Sequence, residues 1–258
     1  MPMHSEGEGV GSTADVYRLP REKVKPGDIP GSHLRPYSAS IESTEELPFM
    51  VRLVETAQDL RAAVEIRSIA FARHIPSFGE QLRSPETDDH RPDVLLLIAQ
   101  RKADRKVIGS MRLQPNVHRP LRVEENTVLP IAYLGRRLIE FMRLGVENGY
   151  AGRMVMAALA KAGYEICHAA RFDFIVAAGR RSTSEMYRSM HFDDVFNGAT
   201  VELAYAQNMP HSIFALPVLE ADHRWRAAAH PLYGFMARTR HPDIQIDFGR
   251  ALRAFGPA

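Results

Sequence analysis

Residues 137–153 read RLIEFMRLGVENGYAGR, an apolar run that carries two charges, Glu140 and Arg143. A carboxylate inside a buried strand needs a partner or a task, because burying an unpaired charge is costly. Glu140 is therefore the first candidate for a general base. The competing role is structural, with Glu140 neutralising Arg67, Arg112 and Arg143. Glycines at 145, 149 and 152 then break the run, and a helical pattern, MVMAALAKAGYEICHAA, follows at once. Strand, glycine loop and helix together present free backbone N–H groups to an anion. In a regular strand Glu140 and Arg143 would point to opposite faces. They share a site only if the strand is bulged or locally helical.

Two more arginines sit in otherwise apolar elements. Arg67 falls on the stripe of Leu60, Val64 and Phe71 in a helix expected from a Thr56 cap, with Asp59 at N3, to about His74. An unpaired buried guanidinium is too costly, so Arg67 needs a carboxylate from the protein or a substrate. Arg112 alternates with Ile108 and Ser110 on the second strand of an expected hairpin, 93–100 and 106–114. A second strand–glycine–helix segment follows at 172–192. Its strand ends at Gly179, and its helix is expected to open near Ser182 with a capping box to Glu185 and to carry Tyr187.

The two glycine-marked segments resemble the GNAT superfamily of N-acyltransferases. Met186, Tyr187 and Phe192 match the second segment's pattern, with His191 where a glycine usually stands. Gly149-Tyr150-Ala151 is what survives of the first, with Val146 where Gln or Arg is usual. That departure weighs against an ordinary acetyl-coenzyme A enzyme. A narrower resemblance fits better. Ile66-Arg67 with Phe71, then VIGSMRLQP at 107–115, then IEFMRLGV at 139–146 is similar, in order, to acyl-homoserine-lactone synthases and long-chain N-acyl amino acid synthases. It covers roughly residues 50–220.

The resemblance implies an α+β, three-layer fold with a central mixed, splayed sheet flanked by helices. It implies transfer of a long-chain acyl group from an acyl carrier protein or coenzyme A thioester to the α-amine of an amino acid. No permanently bound cofactor is implied, only acyl-phosphopantetheine or acyl-coenzyme A as co-substrate. Glu140 is then the base and Tyr187 the acid that protonates the leaving thiolate. Arg112 or Arg143 clamps the acceptor's carboxylate, alongside Arg67. Amides at Val146 and Glu147 hold the oxyanion. Glu147, Gly149, Ala151, Gly152 and Arg153 face the pantetheine phosphate, and Arg180 and Arg181 meet an acidic carrier. Met111, Phe141 and Phe174 supply an acyl slot. The same likeness makes Glu80, Glu86, Asp88 and Asp89 candidates for a loop over the acceptor pocket. The alternatives are a homoserine-lactone synthase, an acetyltransferase and a non-catalytic binding domain on the same fold.

Composition is that of an ordinary globular protein: 45% hydrophobic and 25% charged residues, net charge +2, one cysteine. No global field argues for nucleic acid, and one cysteine excludes an intramolecular disulfide framework. Asp88-Asp89-His90 has no second cluster at metal-ligand spacing, so no metal is expected. The first residues lack the basic start and apolar core of a signal peptide, and no stretch is long enough for a membrane span, so a cytoplasmic location is expected. The expected organisation is a flexible extension at 1–48, an acyltransferase domain at 49–220, and a helical extension at 221–258, broken at Pro231, that packs on the sheet or on a second subunit in a homo-oligomer.

Overall fold

The computed structural model describes residues 41–256. The chain runs β1 (Ser43–Thr44), β2 (Phe49–Leu53), α1 (Ala57–Ala72), α2 (Pro76–Gln81), β3 (Leu95–Arg101), β4 (Val107–Pro115), β5 (Leu138–Val146) and α3 (Tyr150–Ala169). It continues through β6 (Phe174–Gly179), α4 (Arg181–Ser189), β7 (Asp193–Asp194), β8 (Val201–Leu203), β9 (Met209–Pro217), α5 (Ala221–Ala227), β10 (Thr239–Arg240), β11 (Ile244–Gln245) and α6 (Phe248–Phe255). The main sheet has the order β11-β2-β3-β4-β5-β6-β9-β7, with β8 paired to β9. It is mixed: β5 and β6 run parallel, while β2 to β5 form an antiparallel meander.

Helix α1 starts where local chemistry says it should. Thr56 Oγ1 accepts the Asp59 N–H, Asp59 accepts the Thr56 N–H, and Arg52 grips Asp59 with two nitrogens. In α3 the stripe Val155, Leu159, Ala162, Ile166 and Ala170 is buried against one sheet face, as its period requires. The opposite face carries α1, α2 and the 116–136 segment, so the sheet is the middle of three layers.

Several expectations are corrected. The expected loop carrying Glu80, Glu86, Asp88 and Asp89 is partly helical: Pro76 opens α2, whose Phe78 is buried, and a 3-10 turn spans Thr87–His90. Helix α3 begins at Tyr150, ahead of the helical pattern that opens at Met154, because Gly149 at φ 89° turns the chain into it. Helix α4 begins at Arg181, and its N-cap, Arg180, makes no side-chain cap; Thr183 and Ser184 instead hydrogen-bond back to the Arg180 carbonyl. The segment after Glu220 is only partly helical. It supplies α5, a π turn at Gly234–Arg238, β10, β11 parallel to β2, and α6. Trp225, Met236 and Phe255 from this segment share the core with β2 to β6. Buried Lys161 on α3 fastens it through the Phe235 carbonyl and His241 Nδ1 at 2.8 and 3.0 Å. Of the expected 1–48 extension, residues 1–40 lie outside the described residues. Beyond them, β1 pairs with β10, and Leu47 is buried.

Gly145 does not break β5; it lets α1 approach. A Cβ there would meet the Arg67 Cα at 2.9 Å and the Ala70 Cβ at 3.2 Å. Gly145→Ala is therefore expected to lift α1 off β5 and cost about 1–3 kcal/mol, read as a lower urea midpoint at unchanged slope.

Candidate active site

The β4–β5 ladder gains one residue between Met142 and Gly145, so Arg143 and Leu144 together oppose Met111. Arg143 takes φ 53° at this bulge. The twist removes the alternation conflict, bringing Arg143 to the face that carries Glu140 and Arg112.

The three arginines converge on two carboxylates, neither of them Glu140. Arg67 forks onto Asp89 at 3.0 and 2.7 Å. Arg143 forks onto Glu86 at 2.7 and 2.6 Å. Arg112 bridges the two acids, 3.1 Å from Glu86 and 3.0 Å from Asp89, and its other terminal nitrogen meets Met142 Sδ at 3.4 Å. Burial raises the carboxyl pKa of Asp89, but the hydrogen-bonded Arg67 and the charge of Arg112 outweigh it and hold the pKa at about 2. The same balance keeps Glu86 below its ordinary value, with Arg143 as chief partner. Burial pushes the Arg112 pKa down. Among the loop acids expected here, Asp88 sits at the rim beside Arg91, Arg112 and Arg122, and Glu80 only pairs with exposed Arg83. Glu140 as neutraliser of the arginines is thus overturned, and so is a free guanidinium fork on Arg112 or Arg143.

Glu140 is held by neutral donors. The Tyr205 hydroxyl donates to Oε1 at 2.9 Å and the Val123 N–H to Oε2 at 3.3 Å. The carboxyl is fully buried, and burial raises its pKa against the pull of Tyr205, Val123 and Arg112. Tyr205 itself lies between Arg122 and Arg143, whose guanidinium carbons are 5.2 and 5.6 Å from its ring centre, and its carbonyl accepts from Arg143. Burial and the neighbouring Glu140 push its hydroxyl pKa up. Sequence reasoning missed Tyr205 and Val123; Tyr205 in LAYAQN reads as one more strand residue, and the 3-10 turn Ala204–Ala206 that presents it has no strong local signature.

On the far side of β5 the sheet splays. The parallel ladder to β6 runs only from Leu138–Phe174 to Phe141–Ala177, although both strands continue. Alternate N–H groups of 142–146 face this gap. The Glu147 N–H does not, since it donates to the Ile108 carbonyl at 2.8 Å, and the Glu147 carboxylate pairs with Arg101. Its expected oxyanion and phosphate roles are therefore corrected. Val146 packs on Gly109 and Gly152, at the first turn of α3. Gly152 fits there because a Cβ would strike the Glu147 carbonyl. Gly149, Ala151, Gly152 and Arg153 all belong to this turn, whose first amides precede the intrahelical ladder.

Tyr187 packs beside the splay. Its ring stacks on Phe214 at 5.1 Å and rests on Gly179. Burial, then Glu140, pushes its hydroxyl pKa up to about 12, and that hydroxyl makes no hydrogen bond among the described residues. Met111 and Phe141 pack against Gly163 of α3, whereas Phe174 meets Tyr133 on the opposite face, so the three do not form one acyl slot. Among the described residues no group of His, Cys, Asp or Glu side chains gathers to hold a metal ion. A cavity of about 600 Å³ between the start of α1, the 89–92 segment and α6 lies behind Asp89, away from Glu140 and the splay.

A family profile described as N-acyl amino acid synthase FeeM matches residues 53–207, more than half of the chain. The chain belongs to this family. The match takes in α1, the arginine–carboxylate cluster, Glu140, Tyr187 and Tyr205, which makes this FeeM-family chain an acyltransferase. No curated protein sequence matches it. Among solved structures, FeeM, an N-acyl amino acid synthase from uncultured soil microbes, aligns at TM-score 0.54 with 16% identity, covering 73% of this chain and 98% of that one. BjaI, a coenzyme A-dependent acyl-homoserine lactone synthase solved with SAM and isopentyl-CoA, aligns at TM-score 0.51 with 17% identity, covering 80% and 98%. At such identities the likeness fixes the fold. It is the mixed, splayed GNAT-like sheet that the motifs imply.

Proposed function

We propose that this acyltransferase moves a long-chain acyl group from a carrier-protein or coenzyme A thioester to the α-amine of an amino acid. The observation that carries this reading is Glu140. It is a buried carboxyl with raised pKa, held by Tyr205 and not by the adjacent arginines, on the strand that borders the splay. An ammonium group must lose a proton before it attacks, and a base is most effective when its pKa approaches the working pH. Because Glu140 is buried, the proton reaches it through the Tyr205 hydroxyl or one water. The amine nitrogen then bonds to the thioester carbonyl carbon, the alternate amides of 142–146 hold the oxyanion, and the carbon–sulfur bond breaks as Tyr187 protonates the thiolate; the second proton of the adduct nitrogen restores the Tyr187 hydroxyl and leaves the neutral amide. The first turn of α3 with Arg153 receives the pantetheine phosphate. Arg143 Nη1, which donates to none of the described residues, offers the acceptor carboxylate one donor in place of a fork. BjaI is described as coenzyme A-dependent and was solved with isopentyl-CoA, an S-alkyl coenzyme A, which keeps coenzyme A beside a carrier protein as donor.

Mass spectrometry of lipid extracts from a bacterial host tests this. Long-chain N-acyl amino acids that appear with the wild type and vanish with Glu140→Gln support it; lactones or acetylated amines overturn it. The dyad gives a second expected outcome. Tyr205→Phe removes a donor to the ionised carboxylate, so the Glu140 pKa rises further. The acid limb of kcat/KM should move to higher pH, and the lost donor to a buried carboxylate should cost about 1–3 kcal/mol of stability, read as a lower urea midpoint.

A further inference from the structure

The end of the sheet opposite the splay exposes large aliphatic side chains. Val128, Ile131 and Leu134 are 81%, 87% and 55% exposed along one loop, and Leu219 is 77% exposed at the end of β9. A line of hydrogen bonds joins these places. Asn116 Nδ2 donates to the Arg136 carbonyl, the Asp173 N–H to the Arg137 carbonyl, and the Val218 N–H to the Asp173 carbonyl. Tyr133, edge-on to Phe174 with ring centres 5.0 Å apart, anchors the loop at this same edge. Single exposed aliphatics are ordinary; several at one end of a sheet mark a contact surface.

The exposed charges here that lack an ion pair are basic. Arg119, Arg136 and Arg171 are exposed and form no ion pair among the described residues. The nearby exposed carboxylates are paired: Glu125 with Arg122, and Asp193 and Glu220 with Arg224. Aliphatic side chains set among unpaired arginines suit the boundary between anionic headgroups and acyl chains. A carrier protein belongs at the other end, where β5 and β6 diverge beside the first turn of α3, about 30 Å along β5. Only that exclusion rests on the acyl-transfer reading.

We infer that the Val128–Leu134 loop, with Leu219 and the three arginines, is a docking surface for an anionic membrane. Such a surface would hold the protein where a long-chain amphiphile partitions. Flotation with vesicles tests it. The wild type should float with phosphatidylglycerol–phosphatidylcholine vesicles and much less with phosphatidylcholine alone. Ile131→Asp should lower the bound fraction about tenfold or more. Arg136→Glu should weaken binding to the anionic vesicles only. Both side chains are exposed, so both variants should keep the wild-type melting temperature. Three results would overturn the inference. One is an absence of wild-type flotation, or flotation indifferent to Ile131→Asp. Another is a wild-type dimer that Ile131→Asp dissociates in light scattering, making the surface a contact between copies. The third is slower acyl transfer by Ile131→Asp from a carrier protein without vesicles, making it a protein-docking site.

Discussion

Asp89→Ala is expected to destabilise the fold by about 3–5 kcal/mol, the largest effect of any single change around the site. The Asp89 side chain is fully buried and takes both nitrogens of the Arg67 fork, one from Arg112 and the Glu86 N–H. Removing it leaves two buried guanidinium groups sharing Glu86, already engaged by Arg143, with Asp88 no nearer than 3.9 Å to Arg112. Urea unfolding reads the loss directly. Changing Arg67 and Asp89 together to apolar residues should cost less than the single change, because no charge is stranded. The pH sign follows from the depressed carboxyl. With a folded pKa of about 2, its contribution is present above the ordinary aspartate range and is lost as pH falls from about 4 toward 2. Asp89→Asn should flatten the acid limb of stability in that window.

Glu140→Gln is expected to lower kcat/KM for acyl transfer by about 10²–10⁴-fold while leaving the fold intact. The amide keeps the shape of the carboxyl; with its oxygen on the Val123 N–H, its NH2 faces the Tyr205 hydroxyl, which turns to accept. Steady-state kinetics beside thermal melts separate the roles. A structural Glu140 would give a lowered melting temperature and near-normal turnover, whereas a base gives the reverse. The contrast is clean because no arginine of the cluster hydrogen-bonds or ion-pairs with Glu140, whose partners are Tyr205 and Val123.

What could be read from the chain follows the distance between partners. The Thr56–Asp59 cap and the α3 stripe are local and were legible. The conflict between Glu140 and Arg143 was legible too, since regular alternation forbids their sharing a face and only a bulge resolves it. The acids that neutralise the arginines were among four candidates in one loop, and nothing in the loop distinguishes Glu86 and Asp89 from Glu80. That choice is made by arginines up to 57 residues away. Tyr205 donates to a residue 65 positions earlier and sits in a turn with weak sequence signals, so periodicity could not find it. The acyl slot failed for a simpler reason: Phe141 and Phe174 lie on strands whose register, known only from the fold, points them to opposite faces. The segment after Glu220 hid its strands because β10 and β11 are two residues each.

The most direct test is a thioester-cleavage assay with purified protein, a long-chain acyl group on carrier protein or on coenzyme A, and a pool of amino acids. Mass spectrometry would follow the products and thiol release the turnover. The account predicts free thiol only when an acceptor amino acid is present, matched mole for mole by an N-acyl amino acid, and lost in Glu140→Gln. Thiol release without an acceptor, or transfer that survives Glu140→Gln at the wild-type rate, would contradict it.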